Sequence, residues 1–159
     1  MIPSRFVLGD SSYVLRRASR ADIRGIVELL RDDRLGATRE STDWPRYEAA
    51  FADIARDPNQ FLAVIEAVGG GLVGTMQLTL IPGLSRGGAC RLQIEAVRIA
   101  ASARGSGLGT AMIEWAHEYG RERGATLAQL TTDRTRADAL RFYRTVGYST
   151  SHEGLKRNL

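Results

Sequence analysis

Residues Arg104-Gly105-Ser106-Gly107-Leu108-Gly109-Thr110 follow the strand-like run Gln93-Ile94-Glu95-Ala96-Val97-Arg98-Ile99 and open an amphipathic helix. A strand that enters a glycine-rich turn and then a helix start aims several unpaired backbone N–H groups, with the positive end of the helix dipole, at one spot. Such a spot binds phosphate or pyrophosphate. Glycine at 105, 107 and 109 lets the main chain approach the anion with no Cβ in the way. Two other glycine motifs fit poorly. A P-loop carries Lys-Ser or Lys-Thr after its last glycine, and here Gly109 is followed by Thr110-Ala111. A dinucleotide fingerprint needs G-x-G-x-x-G near the start of a βαβ unit, whereas these glycines lie beyond the middle of the chain.

Glu95 is the acid-base candidate. It lies in Leu92-Gln93-Ile94-Glu95-Ala96-Val97, a run apolar on both faces. A carboxylate in a largely buried strand has a raised pKa, which suits it to general acid-base work. The same residues also allow a glutamate paired with Arg91 or Arg98. Tyr143, read from spacing alone, belongs to the apolar stripe of a helix and packs. The single cysteine, Cys90, has no partner for an internal disulfide, and no Cys/His spacing suits structural zinc. Neither His117 nor His152 sits where it would activate that thiol, so Cys90 reads as a small buried residue and no metal is expected.

The elements that hold these residues follow from periodicity. The first 11 or so residues read as a flexible tail, and residues 12–159 as one domain. Tyr13 to Arg17 is a first strand. Ser19-Arg20-Ala21-Asp22 is a capping box ahead of Ile23, Ile26, Val27 and Leu30, which share one helical face to about Asp33. Trp44-Pro45 starts a second helix that stops at Asp57-Pro58. Gln60 to Ala67 and Leu72 to Ile81 form a hairpin around Gly69-Gly70-Gly71. Pro82 to Gly88 is a loop, Arg91 to Ile99 a strand, and Gly107 to Arg123 the longest helix, with Leu108, Met112, Trp115, Ala116 and Tyr119 along one stripe. Thr126 to Thr132 is a strand. Ala139, Phe142, Tyr143 and Val146 give a shorter helix closed by Gly147, and Tyr148 to Leu159 supply one or two last strands. This order predicts an α/β fold, a mixed sheet with helices on both faces.

With these elements in place, Arg104, Gly107 and Gly109 match Arg/Gln-x-x-Gly-x-Gly/Ala, and the segment resembles the acetyl-CoA signature of the GNAT superfamily of N-acetyltransferases. The run Asp138-Ala139-Leu140-Arg141-Phe142-Tyr143-Arg144-Thr145-Val146-Gly147-Tyr148 is similar to that family's second signature. The likeness covers the chain from Tyr13 onward and implies a mostly antiparallel sheet of six to seven strands. It further implies acetyl-CoA as co-substrate, held by the main chain of Val97, Arg98 and Ile99 and by residues 104 to 110. It makes Tyr143 the general acid at the sulfur, Glu95 the base directly or through water, and the Val97 N–H the donor to the thioester carbonyl. Arg104, Arg136 and Arg141 are its phosphate candidates. Asp133 and Arg136 stand where the family often has asparagine. Within the superfamily, the stretch from Arg136 is similar to aminoalkylphosphonate and histone-acetyltransferase-like bacterial enzymes, which implies a small primary amine as acceptor; peptide amines are the alternative. A non-catalytic acyl-CoA-binding regulatory module shares the same residues, and the likeness allows a homodimer.

Composition agrees with a single globular domain: 159 residues, 43% hydrophobic and 25% charged. The net charge of +4 comes almost wholly from arginine, with Lys156 the only lysine. Arginine suits anionic ligands, though base composition of a genome gives the same bias. The arginines are scattered and lack the basic blocks of a nucleic-acid surface, so no nucleic-acid partner is expected. The lone cysteine, the missing signal-peptide layout and the absence of any apolar run of roughly 18 residues point to a cytoplasmic protein with no membrane partner.

Overall fold

Strands rich in Val, Ile, Leu and Phe must cover their apolar faces, and in this chain they do so against helices on both sides. The computed structural model describes residues 4–32 and 36–158. The strands are β1 (Ser4–Leu8), β2 (Ser11–Arg17), β3 (Gln60–Ala67), β4 (Leu72–Pro82), β5 (Cys90–Ile99) and β6 (Ala125–Leu130). The helices are α1 (Ile23–Arg31), the one-turn α2 (Gly36–Arg39), α3 (Trp44–Arg56), the distorted turn α4 (Ser85–Gly88), α5 (Leu108–Arg121) and α6 (Ala137–Thr145). Among the described residues these six strands form one sheet in sequence order, antiparallel except for the parallel pair β5 and β6.

Alternation along β3 explains why it is buried on both faces. Phe61, Ala63 and Ile65 join Met76, Leu78, Leu92 and Ile94 under Leu108, Met112, Ile113 and Ala116 of α5. Leu62 and Val64 face the other way, into a smaller cluster with Ala18 and Ile26, flanked by Phe51 and Ile54 of α3. Phe61 meets Trp115 and Tyr119 at ring separations of 5.6 and 5.0 Å. Trp115 Nε1–H in turn donates to Ser4 Oγ at 2.9 Å, which ties β1 to α5.

The expected tail therefore contains a strand: Ser4–Leu8 pairs with Leu15–Ser11, and only residues before it lie outside the described part. Phe6 and Leu8 pack on the main core, an apolar alternation too short to stand out in sequence. The first helix ends at Arg31, and Asp33, its expected end, is outside the described residues. Among the described residues the last strands do not form. Residues 149–158 hold no strand and are exposed, Leu155 to 94%, because Ser, Thr, His, Gly and Lys there offer no alternating apolar face to bury.

The capping box forms, and it anchors a charge network. Ser19 donates its N–H and hydroxyl to Asp22 Oδ2 at 2.7 and 2.8 Å. Arg16 grips the same carboxylate with two bonds of 2.7 and 2.8 Å and also reaches Glu66. The hydrogen bonds from Arg16 hold the Asp22 carboxyl at about 2, below its ordinary 3.8. Its contribution to stability is therefore complete above pH 3.8 and is lost as the pH falls toward 2. Asp22→Asn is expected to cost about 2 kcal/mol at pH 7 and to lower Tm by about 4–8 °C. Urea unfolding at pH 7 and pH 3 checks this, since the gap between the variant and the unsubstituted protein must narrow in acid.

Candidate active site

The sheet opens where the candidate residues lie. β5 and β6 pair from Cys90↔Ala125 to Ile94↔Leu130, and β5 then runs on to Ile99 with no partner strand on that side among the described residues. A bulge coincides with the parting: Thr75 faces Arg98 and Gln77 faces Glu95, so two residues, Ala96 and Val97, oppose Met76 alone. Ala96 holds φ 52°, a left-handed conformation that alanine adopts only under constraint. Beyond the bulge, Ala100 N–H donates to Val73 O at 2.8 Å, toward β4. Amides alternate in direction along a regular strand, so past the bulge Arg98 N–H also faces β4 while Ile99 N–H faces the open side. The carbonyls on that edge are met by guanidinium groups, Val97 O by Arg98 Nη1 at 2.9 Å and Ile99 O by Arg104 Nε at 3.0 Å.

Arg104, 56% exposed, extends its other nitrogen to Asp32 at the end of α1, 3.3 Å away. It thus clamps the start of the glycine loop, and sequence reading gave no hint of Asp32 as its partner. Gly105 and Gly107 have φ of 77° and 84°, and an added Cβ at either would meet nothing within 4 Å. Their requirement for glycine is conformational. Gly109 differs: its Cβ would lie 3.2 Å from both Ile99 Cδ1 and Phe142 Cζ, so the need there is close packing. Ser106 Oγ donates to Ala103 O at 2.8 Å and accepts from Leu108 N–H at 3.4 Å. Leu108 itself is buried in the core, whereas Thr110 is exposed. The first amides of α5, including those of Gly109 and Thr110, have no acceptor within the helix. Loop, β5 and α6 therefore meet at Gly109.

Tyr143 is half-buried beside Phe142, with ring centroids 5.2 Å apart, and packs against the main core along with Val97 and Ile99. Burial pushes its phenol above the ordinary 10, while the charges of Arg136 and Arg98 pull the other way. Arg136 is half-buried at the N-cap of α6. Arg98 and Arg136 thus place positive potential at the phenol, a grouping that sequence spacing did not reveal.

Two candidates stand apart from this cluster. Arg141 is exposed and paired with Asp138 on its own helix. Glu95 is exposed and forms no ion pair among the described residues, with Arg91 or Arg98 or otherwise. The expectation of burial fails because β6 no longer flanks β5 after Ile94, so the apolar neighbours in sequence do not enclose the carboxylate. Cys90 is half-buried and unpaired at the β5 start. Among the described residues no three His, Cys, Asp or Glu side chains gather as metal ligands do, and no helix is long and apolar enough to cross a membrane.

Comparison with known proteins follows the same geography. The sequence pattern of the Acetyltransferase (GNAT) family matches residues 23–148. An aminoalkylphosphonate N-acetyltransferase of Salmonella typhimurium is 28% identical over 138 residues, 87% of this chain and 86% of that protein. A transcriptional regulator from Bacillus halodurans C-125 superposes with a TM-score of 0.86 at 43% identity, over 92% of this chain and 99% of that one. A Trypanosoma brucei acetyltransferase superposes with a TM-score of 0.76 at 27% identity, over 92% and 99%. The matched region runs from α1 through Tyr148 and so takes in the parting of β5 from β6, the glycine loop and α6: the chain belongs to the GNAT family of acetyltransferases.

Proposed function

We propose that this N-acetyltransferase moves the acetyl group of acetyl-CoA directly to a primary amine of a small molecule. The meeting of the open β5 edge, the first amides of α5 and the α6 residue Phe142 around Gly109, with Tyr143 the next residue of α6, carries the proposal. Acetyl-CoA, the family's co-substrate, supplies an activated acyl group and a thiol leaving group. The N–H groups of Val97 and Ile99 would pair with an extended amide-bearing arm as an added strand does. The amides from Gly105 to Thr110 would receive the pyrophosphate at the positive end of α5. Arg104 shapes that loop through Ile99 O and Asp32, and Arg136 is the better placed of the two remaining phosphate candidates, because Arg141 faces solvent with Asp138.

The chemistry then divides among three groups. Val97 N–H donates to the thioester carbonyl oxygen as negative charge builds there. The amine nitrogen bonds to the carbonyl carbon and the C–S bond breaks, the sulfur taking the phenol proton of Tyr143; the second proton of the attacking nitrogen leaves through water and restores the phenol, so that a neutral amide and a free thiol result. Glu95, open to water, takes the ammonium proton through a water molecule. An acceptor that carries an anionic group is in keeping with the aminoalkylphosphonate relative.

A regulatory module that binds acyl-CoA without turnover is the second reading, favoured by the 43% identical transcriptional regulator. Thiol release from acetyl-CoA across a panel of aminomethylphosphonate, alkylamines, polyamines and short peptides separates the two. The enzyme reading expects release with at least one small amine, and a Glu95→Gln rate lower by about tenfold or more. Release with none of them, alongside tight coenzyme A binding, would overturn it.

A further inference from the structure

Nothing near His117 in the chain gives it a partner; the fold brings it to Tyr148, 31 residues away in sequence. It lies on α5, the helix whose first turn forms the glycine loop, and its Nε2 sits 2.8 Å from the Tyr148 hydroxyl with the two rings 5.5 Å apart. Tyr148 comes directly after Gly147, whose φ of 93° turns the chain back at the end of α6. That turn lets Tyr148 N–H donate to the carbonyl of Tyr143 at 3.0 Å and sets the two rings edge to face, 6.0 Å and 73° apart. Tyr148 thus touches Tyr143 through both main chain and ring. Its far end is held by His117.

We propose that His117 is a positioning residue for acetyl transfer: by holding the Tyr148 hydroxyl it locks the Tyr148 ring against that of Tyr143 and fixes the phenol that protonates the leaving sulfur. This rests on the assignment of Tyr143 as the acid. The polarity of the bond follows from its surroundings. Burial and then the charge of Arg121 lower the His117 pKa from 6.5, against the opposing charge of Glu114, so the ring is neutral at pH 7 and one nitrogen accepts. Burial, helped by Tyr143, pushes the Tyr148 phenol up to about 12, so it keeps its proton and donates. Tyr143 is faced in turn by Arg136 and Arg98.

The test uses the full chain and two readouts. Thiol release is measured at saturating acetyl-CoA with aminomethylphosphonate as acceptor. The Tyr143 13Cζ resonance is followed with coenzyme A bound. His117→Phe and Tyr148→Phe are expected to lower kcat about fivefold with KM for acetyl-CoA changed less than about twofold, and to shift the Tyr143 resonance. His117→Gln, whose amide oxygen can accept the same bond, should restore most of kcat. Tyr148→Phe keeps the ring and its packing, so it carries the test even where His117→Phe fails to fold. Tyr143→Phe at the unsubstituted rate would remove the acid assignment and this inference with it. A slow Tyr143→Phe beside full-rate His117→Phe and Tyr148→Phe, with the Tyr143 resonance unmoved, overturns the inference alone.

Discussion

Tyr143→Phe is expected to lower kcat by about 100-fold while KM for acetyl-CoA stays within about twofold, because the change removes one proton donor and leaves the ring in place. The ring is what packs: it meets Phe142 at 5.2 Å and Tyr148 at 6.0 Å, and both contacts survive loss of the hydroxyl. The pH profile adds an independent check. Burial raises the phenol above 10, so the protonated form that the step needs persists through neutral and mildly alkaline pH, and the rate should fall only as pH rises past that ordinary value. The acceptor amine gains reactivity over the same range by losing its proton. The rate of the unsubstituted enzyme should therefore climb with pH to a plateau, and the phenylalanine variant should lose the alkaline decline along with its rate. A variant with a normal kcat would show that solvent, and not this phenol, protonates the sulfur.

What sequence could show of this site depended on how local the cause was. The β3-β4 hairpin was readable because Gly69-Gly70-Gly71 sits between two runs of β-branched and aliphatic residues, and α3 because Trp44-Pro45 marks its start. The glycine loop was readable for the same reason, as a helix entry with residues that tolerate left-handed backbone. Its reasons were only partly so. Gly105 and Gly107 answer to their own φ angles, but the demand on Gly109 comes from Ile99 and Phe142, ten residues before it and 33 after. The expected burial of Glu95 is absent for a related cause. Its apolar neighbours in sequence suggested burial, yet exposure is decided by where β6 stops and by a bulge at Ala96, and an alanine carries no mark of a positive φ. β1 was hidden by brevity. The pairing of His117 with Tyr148 was hidden by distance along the chain, as is usual for contacts that only tertiary packing creates.

Gly109→Val is expected to abolish the function by a different route, with coenzyme A affinity falling about 100-fold and Tm dropping by several degrees. An alanine Cβ would already lie 3.2 Å from Ile99 Cδ1 and from Phe142 Cζ, and valine adds two methyl groups where there is no room. Overpacking of this kind costs about 1–3 kcal/mol. Shifts of the Ile99 and Phe142 side-chain ends take up part of the overlap, and the rest moves α5 away from β5 or swings α6 outward at Phe142. The first displaces the amides that would cradle the pyrophosphate; the second carries Tyr143, the next residue, away from the open edge of β5. Gly107→Ala serves as the contrast. It forces alanine to φ 84° but meets no neighbour within 4 Å, so it should cost about 1–2 kcal/mol of stability while leaving the contact between Ile99 and Phe142 intact. Isothermal calorimetry with coenzyme A and thermal melting distinguish the two. If Gly109→Val bound coenzyme A as tightly as the unsubstituted chain, the amides at the start of α5 would not be the phosphate site.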